Sequence, residues 1–223
     1  MSSDIRVVLV DDQALVRTGL AMVIDTADGM RVVGEAADGS AALDVVARTQ
    51  CDLVLMDVRM PTMDGVTATR ELVRRHPDRP RIVVLTTFDL DEYAFEALRA
   101  GASGFLLKDA PAEDVLAAIR TVHGGDAVIA ASTTRRILDH IAADLPGAVK
   151  HDDRISALTA RERDVMVAIA QGATNSEIAA SLHLAEATVK THVGRILNKL
   201  ALRDRVQIVI HAYETGLVRR GRY

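Results

Sequence analysis

The 223-residue sequence has no tryptophan, three phenylalanines, three tyrosines and a single cysteine. Any core must therefore be built from Val, Leu, Ile and Ala, although nearly half of the chain is apolar. Cys51 cannot form an internal disulfide, which fits a reducing cytoplasm, and its place before an apolar run marks it as a packed thiol. No apolar run approaches the ~20 residues that span a bilayer, and the first residues lack a secretory signal pattern. Disulfide-stapled scaffolds and helical membrane proteins are thereby excluded. The length leaves room for one large domain or two small ones.

Acidic residues outnumber basic ones in the front of the chain, and the balance reverses toward its end. Residues 1–123 hold 13 Lys and Arg against 20 Asp and Glu, whereas residues 154–223 hold 11 against 6. An acidic front and a basic tail imply two modules, the second with an anionic partner.

In the front module, residues 5–10, 31–36, 52–57, 81–86 and 103–107 are short runs rich in Val, Leu and Ile. Stretches of helical period alternate with them near 13–26, 39–49, 63–75, 90–100 and 112–123. Five strands alternating with five helices predict a doubly wound parallel sheet, with a ligand beyond the carboxyl ends of its strands. Asp11 and Asp12 end the first strand, and "LVLMDVRMP" places Asp57 at the end of the third. If those strands are neighbours, as in the flavodoxin-like order 2-1-3-4-5, three carboxylates converge. Such acids can simply cap turns, but a divalent, oxygen-loving cation such as Mg²⁺ would resolve their repulsion and commonly bridges to a phosphoryl group. Thr86 and Lys108 end the fourth and fifth strands, as a hydroxyl donor and an ammonium that a phosphoryl group would need. Lys108 can equally be an ion-pair partner for the acids.

Asp11–Asp12, "MDVRMPTMDG", Thr86 and "GASGFLLKD" resemble the receiver domain of two-component response regulators over about residues 4–123. The resemblance implies that Asp57 accepts a phosphoryl group from the phosphohistidine of a sensor histidine kinase. It implies Mg²⁺ on Asp12, Asp57 and the backbone carbonyl of Arg59, with Asp11 acting directly or through water. Thr86 and Phe105 would be the switch pair. In many receivers a proline in a cis bond follows the lysine, whereas Asp109 follows Lys108 here, and a non-proline cis peptide costs ~3 kcal/mol.

A Gly-Gly break at 124–125 opens a linker, expected over 124–154, with a helix near 131–143. Beyond it, Thr159 with Glu162 and Thr174 with Glu177 form capping boxes. They predict helices near 160–171 and 175–182, followed by 186–200 and 204–215, the last behind Asp204. Two short helices across a tight turn make a helix-turn-helix. In "EATVKTHVGRILNKL", Val189, Val193, Ile196, Leu197 and Leu200 share one stripe and should face a core. The other side carries Thr191, Gly194, Arg195 and Asn198, flanked by Thr188, Lys190 and Lys199, and no acid follows Glu186. This suits a DNA major groove, or equally a solvated face.

From "LTARE" through "GATNSEIAASLHLAEATVKTHVGRILNKLALRDRVQ", residues 155–220 resemble the LuxR-type helix-turn-helix, and the whole chain resembles a NarL/FixJ-type response regulator. That likeness implies base contacts from Lys190, Thr191 and position 194, and phosphate contacts from Thr188, His192, Lys199 and Arg205. His192 has no Cys or His partner at metal-ligand spacing. Ala185 stands where relatives place a serine N-cap, and Gly194 offers no side chain to a base edge. Gly194 is either tolerated there or serves a close approach. Val206, Val209, Ile210 and Tyr213 either form a dimer face or pack beneath the reader helix. The expected protein is thus a cytoplasmic, phosphorylation-gated transcription regulator that dimerises on an operator of double-stranded DNA with half-sites ~10 bp or a multiple apart. It would hydrolyse its own aspartyl phosphate without turning over a free substrate. The rivals are a Mg²⁺-dependent phosphatase and a regulator that binds DNA constitutively.

Overall fold

The computed structural model describes residues 4–87, 92–124 and 152–218. Its chain divides into two compact units, Met1–Val128 and Ile129–Tyr223. The helix expected near 131–143 and most of the linker around it lie outside the described residues.

The first unit alternates as its apolar runs predict, with β1 (Ile5–Val10), α1 (Ala14–Asp25), β2 (Met30–Ala36), α2 (Gly39–Arg48) and β3 (Leu53–Asp57). It continues with α3 (Gly65–Arg75), β4 (Arg81–Thr86), α4 (Glu92–Arg99), β5 (Gly104–Leu107) and α5 (Ala112–His123). The strands form one parallel sheet in the order β2-β1-β3-β4-β5. Every residue of β3 is buried, as continuous apolar runs covered on both faces require. Alternation splits the core in two. Val7, Leu9, Leu53, Leu55, Val83 and Leu85 join Ile24 of α1 and Val115, Ile119 and Val122 of α5 in one cluster. Their neighbours Val8, Val54, Met56, Ile82 and Val84 are buried as well. Cys51 is buried just before β3, where burial pushes its thiol up to about 11, so it is a packed thiol.

Aspartates set where two of the helices begin. Asp38 accepts from the Ala41 amide at 2.9 Å, and Asp64 from the Thr67 amide at 2.7 Å. Capping by Asp64 starts α3 at Gly65, two residues later than periodicity alone suggests. Gly65 lies directly against the acceptor strand, since a Cβ built there would be 2.0 Å from the Asp57 carbonyl oxygen.

The second unit opens with a 3₁₀ turn, Asp153–Ala157, and then α6 (Ala160–Ala170), α7 (Asn175–Leu182), α8 (Glu186–Leu200) and α9 (Arg205–Glu214). Both capping boxes form. His183 and Ala201 adopt left-handed conformations at φ 55° and 53° and end α7 and α8. Val189, Ile196 and Leu200 of α8 enter the core with Val165, Met166 and Ile169 of α6, while Val193 and Leu197 pack at its edge. Val206, Val209 and Ile210 of α9 are buried, and Val209 belongs to that core with Tyr213 against it. Val206, Val209 and Ile210 are therefore packed within their own unit. Among the described residues no helix is long and apolar enough to cross a membrane.

An ion pair ties the end of α8 to the start of α6. Lys199 Nζ lies 2.7 Å from Glu162 Oε2, and the Thr159 amide donates to the same oxygen at 2.8 Å. The Lys199 ammonium, with that amide in support, holds the Glu162 carboxyl at about 2. A depressed carboxyl stabilises the fold above its ordinary value of 4.5 and loses that contribution as pH falls toward about 2. The urea midpoint of the helical signal should drop across that window, and Lys199→Met should flatten the drop. In a separate measurement, Gly65→Ala should lower stability by ~1–3 kcal/mol, because the α3–β3 contact must open to admit the methyl group.

Candidate functional site

Pairing of Val10 with Met56, and of Asp57 with Leu85, brings the carboxyl ends of β1, β3 and β4 to one edge of the sheet. Asp11 and Asp57 are 1% and 3% exposed there, and Asp12 points into solvent. Oxygens of the three carboxylates lie within 4.8 Å of one another. Lys108, following β5, places its ammonium 2.7 Å from Asp11 Oδ2 and 2.7 Å from Asp57 Oδ2. Burial pushes the Asp57 carboxyl above its ordinary range, with the Asp11 charge adding to the shift, while Lys108 opposes it. Burial works against the Lys108 ammonium too, but the two carboxylates outweigh it and raise its pKa.

The backbone holds these acids in place. The Gln13 amide donates to Asp11 Oδ1 at 2.8 Å, the Arg59 amide to Asp57 Oδ1 at 3.3 Å, and Arg17 Nη1 to the Asp11 carbonyl at 2.6 Å. Asp11 is buried, and its Oδ2 meets the Lys108 ammonium at 2.7 Å. A cluster of three carboxylates whose oxygens lie within 4.8 Å of one another fits a hard, oxygen-loving divalent cation. The donor set therefore suits Mg²⁺.

Thr86 is buried at the end of β4 and Phe105 is buried on β5. Phe105 pairs with Val84 and Leu107 with Thr86, so the hydroxyl and the ring share one face, a diagonal step apart. Lys108 reaches the acids without a cis bond at Asp109, since Arg79–Pro80 is the one cis peptide among the described residues. Beside the acids, a cleft of about 540 Å³ is lined by Asp12, Val58, Arg59, Met60, Asp64 and Tyr93. Within it, the Arg59 guanidinium lies over the Tyr93 ring, 4.9 Å from its centroid.

On α8, Thr188, Lys190, Thr191, Arg195 and Asn198 are exposed. A Cβ at Gly194 would meet nothing within 4 Å, so the fold itself does not demand glycine there. Thr191 Oγ1 donates back to the Ala187 carbonyl at 3.0 Å. His192 is half-buried and its Nδ1 has no hydrogen-bond partner. It joins no cluster of metal-binding side chains among the described residues, where the three aspartates form the one such group. Two expected phosphate contacts are engaged internally. Lys199 binds Glu162 and the Ala157 carbonyl, and Arg205 donates to Asn175 Oδ1 at 2.9 Å and to the Ala173 carbonyl.

Several functional positions carry no sequence signal of their own. Tyr93 meets Arg59, 34 positions away, and the need for Gly65 depends on how closely α3 approaches β3.

Residues 7–120 match the family "Response regulator receiver domain", and residues 156–212 match "Bacterial regulatory proteins, luxR family". The transcriptional regulatory protein YxjL of Bacillus subtilis is 41% identical over 214 residues, 96% of this chain and 97% of its own. LiaR of the same organism is 36% identical over 96% of this chain and 99% of its own. Among solved structures, the response regulator ChrA of a heme-sensing two-component system is 33% identical, with TM-score 0.51 over 98% of this chain and 100% of that one. An acid cluster beyond a five-stranded parallel sheet, a separate helix-turn-helix and relatives that match both along their whole length lead to one conclusion: this chain belongs to the two-component response regulators with a LuxR-type DNA-binding domain, which regulate transcription.

Proposed function

We propose that Asp57 is the phosphoryl acceptor and that its phosphorylation by a sensor histidine kinase controls dimerisation and DNA binding. The observation that carries this is the gathering of Asp11, Asp12 and Asp57 within 4.8 Å, with the Lys108 ammonium 2.7 Å from two of them. In this reading residues 1–123 form the phosphoacceptor domain and residues 155–223 the DNA-reading domain, joined by 124–154, in a cytoplasmic protein.

A carboxylate oxygen of Asp57 attacks the phosphorus of the kinase phosphohistidine. The P–O bond forms as the N–P bond breaks, and the imidazole leaves. Asp11, Asp12, Asp57 and the Arg59 carbonyl would hold Mg²⁺, which supplies charge neutralisation for the phosphoryl oxygens. Lys108 moves from its carboxylate partners toward a phosphoryl oxygen, and Thr86 turns its hydroxyl toward another. Phe105, on the same face of the sheet, follows into the space Thr86 vacates. The switch thus biases two states of the fold by replacing the single negative charge of the Asp57 carboxylate with an acyl phosphate of roughly −2 at one strand end. The same pocket admits water, so the chain hydrolyses its own acyl phosphate.

For DNA, α8 enters the major groove. Lys190, Thr191 and the Gly194 position meet base edges, with Arg195 on the same face and Thr188 and His192 toward phosphates. Lys199 and Arg205 reach phosphates only by exchanging the internal bonds they now make, so their first role here is to hold α8 to α6 and α9 to the loop before α7. The paired operator recruits a homodimer, in keeping with the two-fold symmetry of such sites.

Phosphate uptake tests the acceptor. Incubated with Mg²⁺ and acetyl phosphate, the chain should gain an acid-labile phosphate that Asp57→Asn cannot take up; a labelled Asp57→Asn chain would refute the assignment. Operator binding tests the reader helix separately. Lys190→Ala should weaken it by ~1–3 kcal/mol while phosphate uptake is unchanged. Equal loss of both activities would contradict a division between the two domains.

A further inference from the structure

Asp11 and Asp57 are held by the Lys108 ammonium and by backbone amides, but Asp12 has no such help. Its carboxylate is exposed and, among the described residues, makes no hydrogen bond or ion pair, yet it belongs to the same cluster. What aims it is its backbone. The peptide group joining Asp11 to Asp12 is planar, so whatever fixes the Asp11 carbonyl also fixes the N–Cα bond of Asp12. Arg17 Nη1 donates to that carbonyl at 2.6 Å. On the other side of Asp12, the Gln13 amide donates to Asp11 Oδ1 at 2.8 Å. Both peptide planes that flank Asp12 are therefore anchored, one of them by a side chain of α1. The guanidinium is held in turn, because Arg17 Nε donates to Glu35 Oε2 at 3.3 Å. Glu35 precedes Ala36, the end of β2, whose carbonyl accepts from the Asp11 amide at 3.2 Å. The Arg17 side chain is 17% exposed, so its donors are largely withdrawn from water.

We propose that Arg17 is a positioning residue of the cation site, which aims Asp12 through the Asp11 carbonyl while Glu35 holds the guanidinium in place. The inference rests on the acid cluster being the seat of a divalent cation. A carboxylate that swings freely must be ordered before it can replace water on an ion, and that ordering subtracts from affinity. A backbone already set toward the cluster removes part of this cost. Charge alone predicts the opposite sign, since a guanidinium beside three acids repels an incoming cation and its removal would tighten binding. Groups that orient a metal ligand without touching the metal control about 10–100-fold in affinity, and Arg17, acting through a peptide plane, belongs at the lower end.

The test uses the full chain with Mn²⁺ as the probe, an ion that shares the preference of magnesium for carboxylates. Free Mn²⁺ is read from its electron paramagnetic resonance signal. Arg17→Met keeps the apolar stem and should raise the dissociation constant about 10-fold. Arg17→Lys keeps the charge and a donor but not the fork, and should fall between Arg17→Met and the parent. Asp12→Asn should weaken binding by itself, and in that background Arg17→Met should add nothing, so that the two substitutions fail to add in a double-mutant cycle. A role confined to folding would lower the urea midpoint and leave the dissociation constant alone. Binding unchanged or tightened by Arg17→Met, or weakened equally with and without Asp12, would overturn the proposal; where Arg17→Met does not fold, Arg17→Lys decides by the same comparisons. If the parent binds Mn²⁺ and Asp12→Asn binds it less, such a result removes this inference alone. A parent that binds none, or an Asp12→Asn chain that binds as the parent does, removes the cation assignment and this inference together.

Discussion

The ammonium of Lys108 between Asp11 and Asp57 is the interaction on which the rest of the first unit depends. Two buried carboxylates side by side would ordinarily drive one another toward protonation. A cation 2.7 Å from each offsets their repulsion, and that demand dictates architecture. Lys108 follows β5, Asp57 ends β3 and Asp11 follows β1, so those strands must run parallel and deliver their last residues to one edge. The uninterrupted burial of β3 is the other side of that requirement. A strand covered on both faces can hold its terminal acid rigidly, which a half-exposed strand cannot.

The second unit answers a different constraint. It must present one polar helix face while anchoring the opposite face, and it has little mass with which to do so. Its solution is capping and short internal ties. Both capping boxes close, Lys199 joins the end of α8 to the start of α6, and Arg205 grips the loop before α7. Basic residues in this unit therefore serve two purposes, some presented outward and some turned in.

Much of this was legible in the sequence because periodicity and caps are local. The five strands, the two capping boxes, the Asp204 cap and the α8 stripe all follow from spacings within about a dozen residues. The acid cluster was legible at one remove, since a strand order was needed to bring Asp57 beside Asp11. What stayed hidden was the destination of long side chains. Lys199 and Arg205 look from the sequence like cations awaiting phosphates, because nothing local points to Glu162 or to the Ala173 carbonyl. The stripe of α9 was ambiguous for a related reason. An apolar face says that something will cover it, and only the fold says that α6 and its neighbours do. Tyr93 and Arg59 are 34 positions apart, so their stacking left no trace in the spacing of residues.

The start of the second unit is fastened with unusual economy. Arg154 donates to the Leu200 carbonyl at the last turn of α8, and Asp152, two residues earlier, binds Arg154 and lies 3.1 Å from His211 of α9. The point where the chain enters this unit is thus clamped to the C-terminal end of α8. A pull or twist arriving along the backbone at residue 152 would not be absorbed by slack. It would reach the end of α8 as a lever arm meets its fulcrum, tilting the polar face of that helix.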